Sequence, residues 1–370
     1  MMPLDALDAL VDRVCGCAST VRGDVRVVVA EQVDRLAPLA TPRERELAIA
    51  RATARLDGLD ALEEHLSDPE IDEVMVNRGR EVWVDREGIA HRMPDLPDGA
   101  IDIVLERVLA PLGKRLDRST PIVDARLADG ARVCAVVAPI AVDGTTVSIR
   151  RHRARRIALD RFADRPTIAL LAEIVERRAN VLVTGATSSG KTTLLAALVE
   201  LANPHERLVV LEDTSELVLG GQHVVRLESR AAGVDGVRPI DMTELVRTAL
   251  RLRPDRLVVG EFRGDEVVAV VQALNTGHDG SLSTCHANSA LDGLRRMETL
   301  VLQASPTWPL AAIRRQISRS VDVVVHLRRE PDGRRAIAEV VEVVESADEP
   351  AGRRLLSGGV VVDTFGRGRR

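Results

Sequence analysis

The residues with the plainest chemistry run Val181-Leu-Val-Thr-Gly185-Ala-Thr187-Ser188-Ser189-Gly190-Lys191-Thr192-Thr193. An apolar run breaks at one glycine and resumes as a helix after a second, the pattern of a phosphate-binding loop. The glycines let the backbone curl so that successive N–H groups point inward at an anion, and the helix starting near Lys191 adds its positive end. Lys191 then puts a compact cation on the β- and γ-phosphates of a nucleotide, and the Thr192 hydroxyl ligates a bridging Mg²⁺. The chain holds 51 lysines plus arginines, and only Lys114 and Lys191 are lysine. Arginine is the default cation here, so a slim ammonium at this position reflects the chemistry rather than the composition.

Three polar clusters accompany the loop: Leu211-Glu212-Asp213-Thr-Ser-Glu216, Gly260-Glu261-Phe-Arg263-Gly264, and Thr276-Gly-His278-Asp-Gly280-Ser-Leu-Ser-Thr284-Cys-His286-Ala-Asn288. Phosphoryl transfer to water needs a metal, a group that aligns or deprotonates the water, and donors for the charge on the γ-phosphoryl oxygens. A lone carboxylate after a strand is an ordinary solvated end. Three clusters beside a phosphate loop contain each of the required groups.

The elements that must position these groups follow from periodicity. Residues 166–345 alternate apolar strands (Arg207–Glu212, around Val224, Leu257–Glu261, Ser281–His286) with helices (from Asp241, Asp265–Ala273, 289–303, 309–320). That alternation predicts an α/β fold with a mostly parallel sheet covered on both faces and its ligand at the carboxyl ends of the strands. A hairpin, Val321–Leu327 with Ile337–Val344, closes this region. Residues 1–66 read as helical, with Leu4, Leu7, Val11 and Val14 on one stripe and Leu47, Ala50, Ala54, Leu62 and Leu66 less regularly placed. Residues 67–150 alternate as an α+β domain, with a hairpin turning at Asn77–Arg80 and a helix from Ile101 to Leu112. Residues 151–165 are arginine-rich and read as an interdomain linker, either a solvated charge run or a source of arginines facing a nucleotide. Residues 346–370, rich in Gly and Arg, read as a loose tail.

Composition bounds the function. With 29% charged and 45% hydrophobic residues the chain is globular, and aromatics at 1% leave its cores aliphatic. A net charge of -5 and the lack of stacking aromatics argue against a nucleic-acid-binding surface. Cys15, Cys17, Cys134 and Cys285 form no paired ligand spacing, which argues against structural zinc and fits a reduced cytosolic compartment. The N-terminus has no basic segment followed by an apolar one, and no run of eighteen apolar residues occurs, so neither export nor membrane spanning is expected.

In order along the chain, the phosphate loop, Glu212-Asp213-Thr-Ser-Glu216, Gly260-Glu261-Phe-Arg263-Gly264 and the histidine stretch resemble the ATPases of type II and type IV secretion. The likeness is greatest to the branch serving tight-adherence (Flp/Tad) pili and conjugal transfer. Ser67–Asn77, Val123–Val133 and Ser148–Arg151 resemble that branch's N-terminal, nucleotide-facing domain, so the resemblance spans residues 60–328. It implies a RecA-like core, ATP and Mg²⁺ as ligands, a homohexameric ring with nucleotides between the two domains, and a cytoplasmic motor docked peripherally on an inner-membrane platform that moves pilin or secreted subunits. By the same likeness Glu216 matches the general base, Glu261 the group holding Mg²⁺ through water, and His286 the γ-phosphate contact. Arg132, Arg150 and Arg151 match first-domain arginines that reach the nucleotide. Glu212, His278 and Arg263 complete the nucleotide-site set. Two departures matter: the chain lacks the four-cysteine metal finger of type II exporters, and the gap from His278 to His286 exceeds that of pilus-retraction relatives. The rival readings are a nucleic-acid motor of recombinase or helicase type, which shares this core, and a nucleotide-gated scaffold without turnover.

Overall fold

The computed structural model describes residues 4–18, 24–86, 88–127, 129–151, 156–187, 189–220, 223–230, 238–330, 333–346 and 348–367. The chain divides into two compact units, one built from Met1–Arg153 and the other from Ala154–Ala232 and Gly236–Arg370.

The first unit opens with helices α1 (Leu4–Ala18), α2 (Val25–Leu36) and α3 (Pro42–Asp57). Their starts are chemically marked: Asp24 accepts from the N–H groups of Arg26 and Val27, and Thr41 and Glu44 form a reciprocal capping box ahead of Pro42. The expected stripe of α1 is buried at Leu7, Val11 and Val14, against Val28, Val29 and Val33 of α2. In α3 the buried stripe is Ala48, Ile49 and Ala52, whereas Leu47 is exposed and Ala50 faces solvent.

A short helix α4 (Glu63–Ser67) leads to strands β1 (Ile71–Asn77), β2 (Glu81–Arg86) and β3 (Ile89–Arg92), helix α5 (Ala100–Leu109), and strands β4 (Ile122–Arg126), β5 (Arg132–Val136) and β6 (Thr146–Arg150). The six strands form one antiparallel sheet, ordered β3-β2-β1-β6-β5-β4. The β1–β2 turn places Arg78 and Gly79 at φ of 54° and 74°, in the left-handed region. One sheet face packs its aliphatic residues, among them Val74, Val76, Val133 and Ile149, on Ile101, Val104, Leu105 and Leu109 of α5.

The second unit runs α6 (Arg165–Glu176), β7 (Val181–Gly185), α7 (Lys191–Val199), β8 (Leu208–Glu212), β9 (Val224–Glu228), α8 (Met242–Ala249), β10 (Arg256–Val259), α9 (Glu266–Leu274), β11 (Leu282–His286), α10 (Ala290–Ala304), α11 (Leu310–Ser320), β12 (Val323–Arg329), β13 (Arg335–Val344), β14 (Ala351–Ser357) and β15 (Val360–Val361). They build one nine-stranded sheet, ordered β15-β14-β13-β12-β7-β11-β10-β8-β9. The six strands from β12 to β9 are parallel, and β13 to β15 extend them antiparallel. Helices α6 and α7 cover one face through Leu170, Leu171, Ile174, Leu194, Leu195 and Leu198. Helices α8 to α11 cover the other. Burial on both faces explains the predominantly apolar sequences of β7, β8, β10 and β12, and the expected doubly covered parallel sheet is what forms.

Two boundaries differ from expectation. The segment expected to be linker up to residue 165 is shorter, because Leu159 and Phe162 are buried in the α6–α7 core and Asp164 caps α6 by accepting from the N–H of Thr167. The expected loose tail is instead an ordered edge. β14 pairs with β13, Leu355 and Leu356 are fully buried, and Phe365 lies in the core under the Arg177 guanidinium. Arg367 ties the end down by donating to the Ser318 and Val343 carbonyls and pairing with buried Asp322. A single buried phenylalanine among glycines and arginines has no period, which is why the pattern does not announce it. Phe365→Ala is expected to lower unfolding free energy by about 3 kcal/mol, read by chemical denaturation; a solvated tail predicts no change.

Candidate active site

The parallel register sets the site. β7 lies between β11 and β12, with Thr184 level with Cys285 and His326, and Gly185 level with His286 and Leu327. β7 and β11 therefore end side by side where the loop leaves the sheet, and β12 runs on beside them to Arg329. A β-carbon at Gly185 would stand 2.6 Å from Ser189 Oγ and 2.7 Å from the Leu327 carbonyl, so only glycine fits. Gly190 adopts a φ of +97° and caps α7, with the Arg335 side chain lying over it.

Lys191, the first residue of α7, is buried and donates from Nζ to the Ala186 carbonyl at 3.0 Å. Burial pulls its ammonium below the usual lysine range, and Glu261 opposes that shift. The Ser189 hydroxyl is buried without a hydrogen-bond partner among the described residues. Thr192 and Thr193 stand partly exposed on the first turn of α7. Ser188 lies outside the described residues. A half-satisfied lysine, an orphaned hydroxyl and a helix start around one curled loop fit a polyphosphate. Thr192 and Glu261 carry oxygens of the kind Mg²⁺ would take.

Glu261 and Arg263 leave the sheet after β10, on either side of Phe262. Phe262 is 1% exposed and its N–H donates to the Thr284 carbonyl, so the alternation turns its two neighbours outward. The Thr284 hydroxyl donates to the Gly260 carbonyl at 2.6 Å and fastens this exit to β11. Glu261 Oε2 accepts from Arg263 Nε at 2.7 Å, and Oε1 meets His286 Nδ1. The other ring nitrogen, Nε2, lies 3.1 Å from Thr187 Oγ1 in the phosphate loop. A continuous polar chain, Thr187 to His286 to Glu261 to Arg263, thus links the loop to the carboxylate expected near the metal.

Glu212 departs from its expected role. Its side chain is buried at 3% exposure, and Oε1 accepts from the backbone N–H groups of Glu216 and Leu217, each at 2.9 Å. Burial pushes its carboxyl above the usual glutamate range despite those two bonds. A β-carbon at Gly260 would touch Glu212 Cγ at 2.9 Å, so the glycine makes room for it. Glu212 is therefore an anchor for the loop, holding Leu217 inside and leaving Glu216 partly exposed near the charge of Arg263.

His278 also departs. It precedes β11, at the amino end of the strand whose carboxyl end carries His286, and its Nδ1 is bonded to the Ala273 carbonyl at 3.1 Å. From its first residue to His286, β11 spans about 13 Å at the usual strand rise, so the two histidines lie towards opposite ends of it. The histidine stretch is one motif in sequence and two edges of the sheet in space. Cys285, between Thr284 and His286, is buried, and burial pushes its thiol up to about 12. The arginines expected from the first domain lie in the first unit. Arg132 and Arg150 are register partners across β5 and β6, and Arg151 donates to the Asp68 and Ile71 carbonyls. Arg335 was not anticipated: it lies 145 residues past the motif it covers, in a strand whose pattern carries no sign of a ligand.

A phosphate loop on a central strand of a doubly covered parallel sheet, with acidic exits on the neighbouring strands, defines a P-loop nucleoside triphosphatase core of the RecA-like kind. The chain belongs to the family "Type II/IV secretion system protein", whose model matches residues 56–354. It is 39% identical over 299 residues to "Putative conjugal transfer protein MT3759" of Mycobacterium tuberculosis (strain CDC 1551 / Oshkosh), covering 77% of this chain and 84% of the relative. It is 32% identical over 288 residues to "Conjugal transfer protein TrbB" of Rhizobium radiobacter, covering 75% and 85%. Among solved structures, the pilus retraction motor PilT with bound ADP matches with a TM-score of 0.56 and 21% identity, over 76% of this chain and 81% of that one, a likeness of fold.

Two outcomes follow from burial. At pH 8 the raised thiol of Cys285 is protonated, so iodoacetamide is expected to label exposed Cys134 and spare Cys285 in the native protein, as mapped by peptide mass spectrometry. Glu212→Gln, which keeps an acceptor for the two N–H groups, is expected to fold with near wild-type stability, whereas Glu212→Leu orphans both and costs about 1–3 kcal/mol, measured by urea denaturation.

Proposed function

We propose that this chain is a Mg²⁺-dependent ATP hydrolase that powers the assembly of a pilus or the secretion of subunits, working as a ring on the cytoplasmic face of an inner-membrane platform. The observation that carries the proposal is the polar chain from Thr187 through His286 to Glu261 beside the buried, half-satisfied Lys191, which joins phosphate binding to the acidic exit of the next strand but one. The family and the conjugal-transfer relatives support the process served.

In this reading Lys191 and the loop N–H groups cradle the β- and γ-phosphates, and the Ser189 hydroxyl finds its partner there. Mg²⁺, held by Thr192 and through water by Glu261, supplies charge neutralisation of the transferring phosphoryl group. Glu216 aligns and deprotonates the attacking water from a loop whose shape Glu212 maintains. His286 senses the γ-phosphate: a ring bonded at one nitrogen to Thr187 and at the other to Glu261 must exchange a partner to touch it, which links nucleotide state to the β10 and β11 exits. Arg263 stands beside Glu261 and adds positive charge. The family likeness assigns Arg132, Arg150 and Arg151 of the first unit to the nucleotide, and the motor is proposed to work as a homohexamer. Among the described residues no helix is long and apolar enough to cross a membrane, in keeping with docking through partner proteins. Nucleic acid is not the track: the net charge is -5 and Tyr is absent.

The test is ATPase rate per protomer against protein concentration, with mass measured in the same samples. Wild type is expected to gain activity as it assembles, Lys191→Ala to lose it, and Glu216→Gln to bind nucleotide with turnover reduced at least about 100-fold. A Glu216→Gln protein at the normal rate removes Glu216 from the base position, and absent turnover in an assembled wild type leaves a nucleotide-gated scaffold.

A further inference from the structure

Thr184, the last residue before the first glycine of the loop, is wholly buried and polar at the end of an otherwise apolar strand. Directly level with it on β12 stands His326, 8% exposed and polar within the run Val323–Leu327. Thr184 Oγ1 and His326 Nδ1 are 3.0 Å apart. On its other side Thr184 meets α10, where a β-carbon at Gly293 would come within 2.5 Å of Thr184 Cγ2. The threonine is thus held at both branches, its methyl against a glycine and its hydroxyl against a ring.

His326 also lines a cavity of about 920 Å³, with Asn288, Ser289, Arg328 and Glu339 among its other walls. Burial lowers the basicity of His326, opposed by Glu339 and Asp292 and assisted by Arg328. Whichever tautomer the ring adopts, Nδ1 and the Thr184 hydroxyl are hydrogen-bond partners, because the hydroxyl can donate or accept.

Two apolar β-branched residues would fill these places with no polar groups to satisfy, as they do at the preceding register pair, Val183 and Val325. What a hydrogen bond adds is direction. The next residue, Gly185, has no slack, since Ser189 Oγ and the Leu327 carbonyl close on it from two sides. Any shift of residue 184 therefore passes into the phosphate loop. We propose that Thr184 and His326 are a positioning pair: their hydrogen bond sets the strand-to-loop junction, and through it the aim of the loop N–H groups, without either side chain touching nucleotide. This rests on the reading of the loop as the nucleotide site.

The experiment compares full-length wild type, Thr184→Val, Thr184→Ser, His326→Leu and the double variant Thr184→Val/His326→Leu. It measures thermal midpoint and the dissociation constant of a fluorescent ADP analogue with Mg²⁺, with Lys191→Ala as the control. Thr184→Val and His326→Leu are each expected to weaken binding about tenfold, and Thr184→Ser, which keeps the hydroxyl, to stay within about twofold of wild type. The double variant removes both polar partners, so it regains the thermal midpoint while binding stays about tenfold weak. A double variant that recovers binding along with stability reduces the pair to packing and overturns the inference. So does a Thr184→Val protein that binds as wild type, and so does a tenfold loss in Thr184→Ser, which assigns the effect to the methyl against Gly293. Wild type binding no better than Lys191→Ala would instead overturn the nucleotide reading, and the pair's role with it.

Discussion

The site depends on a lack of space at Gly185. The backbone there is pinched between the Ser189 hydroxyl and the Leu327 carbonyl, so the start of the phosphate loop is a fixed point of the sheet rather than of the loop alone. That fixity requires β12 to lie beside β7 in parallel register, and β12 is held in turn by the β13–β14 hairpin that the C-terminal segment completes. A nucleotide-facing loop in the middle of the chain thus depends on residues at its end. With almost no aromatics to fill gaps, the sheet achieves this by stacking valine and leucine on both faces, where each strand's position is set by many small contacts.

Around that fixed point, environment divides the labour among chemically similar groups. Glu212, Glu216 and Glu261 all follow strands, yet one is buried with its oxygen given to two N–H groups, one is partly exposed on the loop so held, and one bridges an arginine and a histidine. The buried carboxyl resists ionisation, so it serves better as an acceptor for backbone than as a ligand for a metal. The lysine lies in a setting that disfavours its charge, and an anion bound in the loop relieves that cost. The site is arranged so that its least comfortable groups are those a triphosphate would satisfy.

Much of this was legible before any coordinates. The loop, the parallel sheet, the helix start at Asp241 and the β1–β2 hairpin all follow from spacing, because each is a local pattern. What was not legible is non-local. Two histidines eight positions apart read as one cluster until the intervening strand sends them to opposite edges. Glu212 looks like its neighbours until burial separates them. The buried stripe of α3 falls on Ala48, Ile49 and Ala52 rather than on Leu47 and Ala50, one position off the expected face. Phe365, Arg335 and the Thr184–His326 pair owe their roles to partners more than 140 residues distant, and no window along the chain can contain both members.

The two edges of the sheet also differ in kind. At the amino edge, Arg256 is 2% exposed, paired with Glu206 at 2.6 Å and bonded to the Gly280 and Val175 carbonyls, while Arg178 joins the same glutamate and the Asp255 and Asp279 carbonyls. A buried pair of this sort adds little to net stability, but breaking it leaves a charge stranded at a cost of about 3–5 kcal/mol, so this edge has one arrangement. At the carboxyl edge the polar chain includes exposed members, with the Arg263 side chain 64% and that of His286 43% accessible, where exchanging one partner for another is cheap. In the proposed motor this asymmetry would confine a change of partner to the carboxyl edge, because buried Arg256 and its glutamate hold the amino edge in one arrangement.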